Sequence, residues 1–410
     1  MKNSRLSSYQ IKPARRTEKV ESYYFASKLH QISRMQQSGI DVINLGIGSP
    51  DLPPAPAVIE TLMASAALPG NHAYQSYRGT DALRNAMAGW YQTKFGVQLD
   101  AATEILPLMG SKEGIMHISM AFLNPGDVVL VPDPGYPAYE SAALLAGAKV
   151  QYYRLSSKNN WLPELSKIEK SLRTGVKLMW LNYPHMPTGA MANPAFFEEA
   201  VAFARRNNIM LCNDNPYAFI LNDSPISILS VAESRNFCLE LNSLSKSHNM
   251  AGWRMGLVAG GSPLIQAVLK VKSNMDSGMF RPVQDAAVVA LGLGNEWYSQ
   301  LNEIYNRRRT KVFRLFKLLS IKLGPQQAGL FVWGQLPASL PDAQLVSDTL
   351  LVQAGIFLTP GMVFGKAGKR YLRASLCVPE HRIDEACDRV ASILQQNQLS
   401  NFVNSTLCIR

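Results

Sequence analysis

Lys246 stands in the string Ser243-Leu-Ser-Lys246-Ser-His-Asn-Met-Ala-Gly-Trp-Arg254-Met-Gly256, eight residues before an arginine. An amine attacks an aldehyde only when partly unprotonated, and a desolvated lysine beside another cation has its pKa lowered. Arg254 is such a cation, so the pair points to carbonyl chemistry. A second group, Gly110-Ser111-Lys112-Glu-Gly114, opens a stretch in which Ile115, Ile118 and Phe122 recur at helical spacing. The N-terminus of such a helix offers free N–H groups and a positive dipole end, which together bind phosphate; an ordinary helix cap is the plainer reading. A third, Asn213-Asp214-Asn-Pro-Tyr217, follows an apolar run directly. Taken alone, Asp214 reads as a turn residue.

These residues need elements to hold them. From about residue 100 to 260, β-rich runs alternate with helix-like stretches, which argues an α/β domain with a largely parallel sheet. The expected strands are 127–132, 176–183, 209–213, 237–241 and 255–259. Ligand sites of open α/β sheets gather at the carboxyl ends of strands, where Asp214 and Ser243 fall. Beyond residue 295 a long helix, a Gly/Pro-punctuated β region over 324–376 and a final helix near 380–396 suggest a smaller α+β domain.

The Lys246 string resembles the cofactor-lysine motif of the class I/II, fold-type I aminotransferases, which use pyridoxal-5'-phosphate (PLP). The resemblance implies that Lys246 carries PLP as a Schiff base and that Arg254, Ser243, Ser111 and Lys112 hold the cofactor phosphate. Asp214 would then keep the pyridine nitrogen protonated, and Tyr217 would hydrogen-bond the ring's 3'-oxygen. Tyr136, in Pro134-Gly-Tyr136-Pro-Ala-Tyr139, is the expected stacking partner of the ring, with Tyr139 left to the core. On the substrate side, Asn44-Leu-Gly-Ile-Gly48 resembles the family's N-terminal glycine turn, where Gly48 lets backbone approach the substrate carboxylate. Tyr371-Leu-Arg373-Ala-Ser375 resembles its Tyr-x-Arg-x-Ser, so Arg373 is expected to grip the α-carboxylate as a bidentate fork. Tyr74 matches the tyrosine that reaches the neighbouring subunit's phosphate, which implies a homodimer. Lys112 also resembles the LL-diaminopimelate aminotransferase group, where a lysine lies near substrate.

The resemblance spans roughly residues 20–395 and implies a fold-type I architecture. It would have a large PLP domain over 46–295, built on a mostly parallel, seven-stranded-type sheet between helices, and a small domain from residues 1–45 and 296–410. The implied activity moves an α-amino group from an amino acid to a 2-oxo acid. A PLP-dependent carbon–sulfur β-lyase shares these motifs. A non-enzymatic PLP-sensing regulator fits less well, because no spare 60-residue DNA-binding segment is present. One departure stands out: Asn182-Tyr-Pro-His185-Met186-Pro-Thr-Gly189 carries Met186 where the family has a second asparagine. A thioether cannot replace that hydrogen-bond donor. His185 could compensate, although a partly exposed loop histidine is the simpler expectation; His248 is read as a packing residue.

The net charge of +11 raises a nucleic-acid reading, but its distribution weakens it. One basic cluster falls in residues 1–20. The other, over 307–322, accompanies helically spaced Leu301, Ile304, Tyr305, Val312, Leu315 and Phe316, so Arg308, Arg309, Lys311 and Lys317 should lie on or beside the polar side of one helix. No metal site is expected, since the five cysteines show no CxxC pair. They are read as reduced thiols of a cytoplasmic chain, and no apolar run is long enough to span a bilayer.

Overall fold

The computed structural model describes residues 12–20, 24–325, 327–340 and 342–396. Lys2 and Arg5 of the N-terminal basic cluster, and Cys408 with the rest of the last fourteen residues, lie outside the described residues. Seven strands form the main sheet in the order Ile105–Leu108, Gly256–Gly260, Cys238–Ser243, Met210–Asp214, Val176–Leu181, Val128–Asp133 and Lys149–Arg154. The last five pair parallel, whereas Gly256–Gly260 runs antiparallel to both its neighbours. The five expected strands are therefore present with ends shifted by one or two residues, and Ile105–Leu108 and Lys149–Arg154 were missed. Helices cover both faces, so Val128-Val-Leu-Val131 is wholly buried without alternation.

Strand pleat decides what reaches the site. In Met210–Asp214, Leu211 and Asn213 face one side while Cys212 and Asp214 face the other. Register pairs Asp214 with Leu241, which brings it level with the end of Cys238–Ser243 and the short helix Leu244–Ser247 that carries Lys246.

The second sheet is small and antiparallel, in the order Thr359–Pro360, Tyr371–Ser375, Phe331–Gln335, Lys322–Leu323. The short strand Ile43–Asn44 pairs parallel with Ile356–Phe357, tying the N-terminal segment to it. The expected β region of 324–376 also contains a helix, Ala343–Ala354, capped by Asp342 accepting from the Leu345 N–H and ended by Gly355 at φ 65°. Asn295–Leu318 packs along the final helix Glu380–Gln396.

One expectation about that long helix is corrected. Arg308 is buried rather than on the polar face: its Nη1 and Nη2 donate to the two Asp51 oxygens at 2.6 and 2.9 Å, and Nη1 also donates to the Leu376 carbonyl. Paired acceptors explain how a guanidinium is tolerated there. Arg308→Ala should lower stability by roughly 2–4 kcal/mol, less than a fully enclosed pair because Asp51 keeps some solvent contact. Chemical denaturation of the two proteins measures it. Lys311 behaves as expected, paired with Asp384 near the surface.

Candidate active site

A cavity of about 650 Å³ opens beside the carboxyl ends of the parallel strands. Of the residues expected to hold cofactor or substrate, all line it except Tyr74, which is 90% exposed on the outer surface.

One end is built for an anion. Gly110 has φ 87° and precedes the helix Ser111–Phe122, whose first N–H groups have no helical partner. Ser111, Lys112 and Arg254 line the cavity beside it. Arg254 is held by the Ala251 and Met109 carbonyls at 2.8 and 3.2 Å. A Cβ on Gly110 would lie 2.1 Å from Arg254 Nη2, so glycine is required for both its φ and this approach. Gly110→Ala should displace Arg254 and weaken retention of a phosphorylated ligand at least about tenfold, read from equilibrium dialysis of the cofactor. Ser243 lines the same end but also caps the Lys246 helix, accepting from the Ser245 N–H at 3.2 Å and donating to the Met255 carbonyl at 3.3 Å.

The middle holds an amine and a carboxylate. Lys246 Nζ donates to the Gly48 carbonyl at 2.6 Å. Burial lowers its pKa below the usual lysine value; the Arg373 and Arg254 charges act in the same direction, against Cys377. Asp214 accepts from the Tyr139 hydroxyl at 2.9 Å through Oδ2, while Oδ1 is buried with no hydrogen-bond partner. Burial pushes this carboxyl up to about 7, with the Tyr139 and Ser111 hydroxyls opposing. An orphaned buried carboxylate oxygen fits a protonated ring nitrogen, and the helix N-terminus with Arg254 fits a phosphate, so the residues present fit PLP.

Tyr139 is the functional residue that sequence reasoning missed. It is fully buried and stacked on Trp180 at 4.9 Å, as a core residue would be, yet its hydroxyl positions Asp214. Tyr139→Phe should cost about one to two powers of ten in turnover without changing KM, since a hydrogen bond to a charged group is worth about 1.5–3 kcal/mol. Steady-state kinetics separates the two parameters.

The other end belongs to Arg373. Its Nη2 donates to the Gly46 carbonyl at 2.6 Å, and its Cζ lies 3.9, 4.6 and 5.6 Å from the ring centroids of Phe331, Phe364 and Phe25. Gly48 has no room for a side chain, because a Cβ would meet Phe331 at 2.2 Å.

The Asn182–Gly189 turn differs from expectation. Met186 lines the cavity and its sulfur lies 3.3 Å from Arg373 Nη1. His185 is buried rather than partly exposed, with Nδ1 at 2.8 Å from Thr188 Oγ1. Burial lowers its pKa to about 3, so it is neutral, and it is not among the cavity lining. His248 is buried as expected, between Ser247 Oγ at 2.9 Å and Tyr298 Oη at 3.1 Å.

Away from the cavity, Glu113, His117 and Asp276 bring metal-ligand atom types together, but Lys272 Nζ already bonds both Asp276 oxygens at 2.9 and 2.7 Å. The ammonium supplies the positive charge that the cluster needs.

The family model for aminotransferases of class I and II matches residues 40–390. An LL-diaminopimelate aminotransferase of Dehalococcoides mccartyi is 38% identical over 388 residues, covering 94% of this chain and 100% of that protein. One from Moorella thermoacetica is 39% identical over 386 residues, covering 94% and 99%. Among solved structures, substrate-bound BacF from Bacillus subtilis superposes with a TM-score of 0.89 at 35% identity, covering 94% of this chain and 98% of that one. The aromatic aminotransferase of Pyrococcus horikoshii gives 0.83 at 26% identity, covering 90% and 100%.

Proposed function

The chain belongs to the class I and II aminotransferases and is a PLP-dependent enzyme; from that premise we propose which of its residues do the work, and on what. The supporting observation is the meeting, in one cavity, of a pKa-lowered amine, a carboxylate with an unpartnered oxygen and a helix N-terminus.

When bound, the cofactor supplies an aldehyde carbon for amines and an electron-withdrawing ring that takes up the electron pair released at the substrate's Cα. Lys246 would hold it covalently, and its amine is the group placed to move the substrate's Cα proton. Asp214, steadied by Tyr139, balances positive charge at the ring nitrogen. Tyr217 hydrogen-bonds the 3'-oxygen, Tyr136 covers the ring face, and Ser111, Lys112, Ser243 and Arg254 hold the phosphate. Arg373 holds the substrate α-carboxylate, and Gly48 keeps backbone close to it. The amino donor passes its amino group to the enzyme, and a 2-oxo acid collects it in a second half-reaction. LL-diaminopimelate, from the relatives' names, is one donor to test.

Mixing the loaded enzyme with an amino acid and no oxo acid tests the activity. One equivalent of oxo acid per active site, with bleaching of the cofactor band, is the expected result. Continuous release of ammonia would make the protein a β-lyase instead.

We further read residues 46–295 as the large domain and the two chain ends as the small one. The enzyme is read as a homodimer: Tyr74 is exposed, as are the large apolar side chains Leu68, Tyr77, Met275 and Phe280. Phe280 packs against His72 at 5.8 Å, and Gly278 has no room for a Cβ against the Gln75 backbone, so the two loops form one surface. A cytoplasmic location agrees with four unpaired described cysteines. Among the described residues no helix is long and apolar enough to cross a membrane.

A further inference from the structure

We propose that Arg308, together with Asp51, is a positioning residue for the substrate: it ties the glycine turn over 46–51 to the end of the strand Tyr371–Ser375, and so sets where Gly48 and Arg373 stand relative to each other. The proposal rests on the reading of those two residues as the site of the α-carboxylate.

The two segments come from opposite ends of the chain, so non-covalent contacts alone hold them in register. At the start of the turn, the Ser375 N–H donates to the Leu45 carbonyl and Arg373 Nη2 to the Gly46 carbonyl, both at 2.6 Å. At its far end Arg308 makes the bridge. Nη1 donates to Asp51 Oδ1 at 2.6 Å and to the Leu376 carbonyl at 3.0 Å, while Nη2 takes the other Asp51 oxygen at 2.9 Å. Between these two fixed ends the backbone is pressed against rings: a Cβ on Gly46 would meet Phe357 at 2.2 Å, and one on Gly48 would meet Phe331 at 2.2 Å. Phe331 in turn pairs with Ser375 across the small sheet. The turn also reaches the reacting centre, where the Gly48 carbonyl accepts from Lys246 Nζ at 2.6 Å.

A guanidinium suits this task because its planar fork fixes direction as well as distance, and it can serve both carboxylate oxygens while an N–H remains for a carbonyl. An ammonium is a point charge that holds one partner without setting the angle. Arg308 also stands on the long helix Asn295–Leu318, which packs along Glu380–Gln396, so the bridge is anchored to a rigid base. A buried ion pair is weak evidence for stability, since an apolar filling of the same volume often does as well, and what this pair adds is geometry. Without the bridge the turn shifts against Arg373, and losing one of the two hydrogen bonds of a fork to a carboxylate costs about tenfold in affinity. The cofactor anchors Ser111, Asp214 and Arg254 stand on other elements and keep their places.

Arg308→Lys, which keeps the charge and loses the fork, is the test. In the holoenzyme it should raise KM about tenfold for every amino acid and 2-oxo acid that the parent turns over, with kcat within about threefold. The empty enzyme should bind PLP in equilibrium dialysis within about twofold of the parent. Asp51→Asn, which keeps the shape of the turn but sets an amide against the fork, should show the same split to a lesser degree and stands in if Arg308→Lys does not fold. Lys311→Ala, which breaks the pair with Asp384 on the same helix, is the control and should leave KM unchanged. An unchanged KM in both Arg308→Lys and Asp51→Asn, or a loss of PLP affinity as large as the rise in KM, overturns the proposal. Combined with Arg373→Ala, Arg308→Lys should add less than about twofold, because the tether acts through the residue already removed; a full tenfold in that background overturns it as well. Hydrogen exchange of the empty enzyme judges the tether without any substrate: in Arg308→Lys the amides of 45–51 and 371–376 should exchange faster than in the parent while the central sheet does not change. Equal rates at both segments overturn the proposal, whereas local acceleration beside an Arg373→Ala variant of normal KM would uphold the tether and remove Arg373 from the carboxylate site.

Discussion

Lys246→Ala should abolish turnover while leaving a folded protein that still holds PLP without a covalent link. The side chain has two separate duties, attachment and proton transfer, and the second alone is typically worth about 10²–10⁴ in rate. Removing it frees only one hydrogen bond, to the Gly48 carbonyl. The anion-binding helix N-terminus, Arg254 and Asp214 all remain, so cofactor should still be retained at equilibrium. Borohydride treatment followed by mass spectrometry decides the case. A covalent adduct on the variant would show that a different lysine is the anchor, and turnover within a factor of ten of the parent would remove Lys246 from the proton path.

Arg373→Ala should raise KM for every α-amino and 2-oxo acid alike, because the partner proposed for it is the carboxylate they share. Truncating one member of a buried charge pair costs about 2–5 kcal/mol, and each 1.4 kcal/mol is about tenfold in affinity. The loss should therefore be general and large. Three aromatic rings hold this guanidinium at 3.9–5.6 Å, which suits a planar ion and not a compact ammonium. Arg373→Lys should consequently recover little. If dicarboxylic substrates alone suffered, Arg373 would be reading side chains.

The site was legible where its parts are local in the chain. The Lys246 string, Gly110-Ser111-Lys112 and Asp214 after its strand each carry their meaning within a few residues, since strand ends and helix starts are where ligand-facing groups lie. What the sequence hid depends on distant contacts. Tyr139 and Asp214 are 75 residues apart, and only the pairing order of the central strands brings the hydroxyl to the carboxylate. Arg308 looked like one more cation on a solvated face because its partner, Asp51, lies 257 residues away. His185 looked like a loop histidine because nothing nearby announces that the turn is packed shut. Some misses were avoidable. Asp342 and Gly355 bracket Ala343–Ala354 as a cap and a left-handed stop, but the helix is apolar on most sides and lacks the amphipathic stripe by which helices are usually recognised.

The unpartnered oxygen of Asp214 links cofactor loading to acidity. In the unfolded chain this carboxyl ionises near pH 4, whereas in the folded protein without cofactor it does so at about 7. Between those values the folded form holds a proton that the unfolded form has released, so the group's contribution to stability declines as pH rises and is fully lost above 7. Three pKa units correspond to about 4 kcal/mol. A cation bound at Oδ1 cancels that loss. The melting temperatures of the empty and loaded enzyme should therefore lie closest at mildly acidic pH and diverge toward pH 8, and in Asp214→Asn the two curves should run parallel. An enzyme so built is least tolerant of losing its cofactor at the neutral and alkaline pH where a free amine is most reactive, and calorimetric scans across pH 5–8 make that dependence visible.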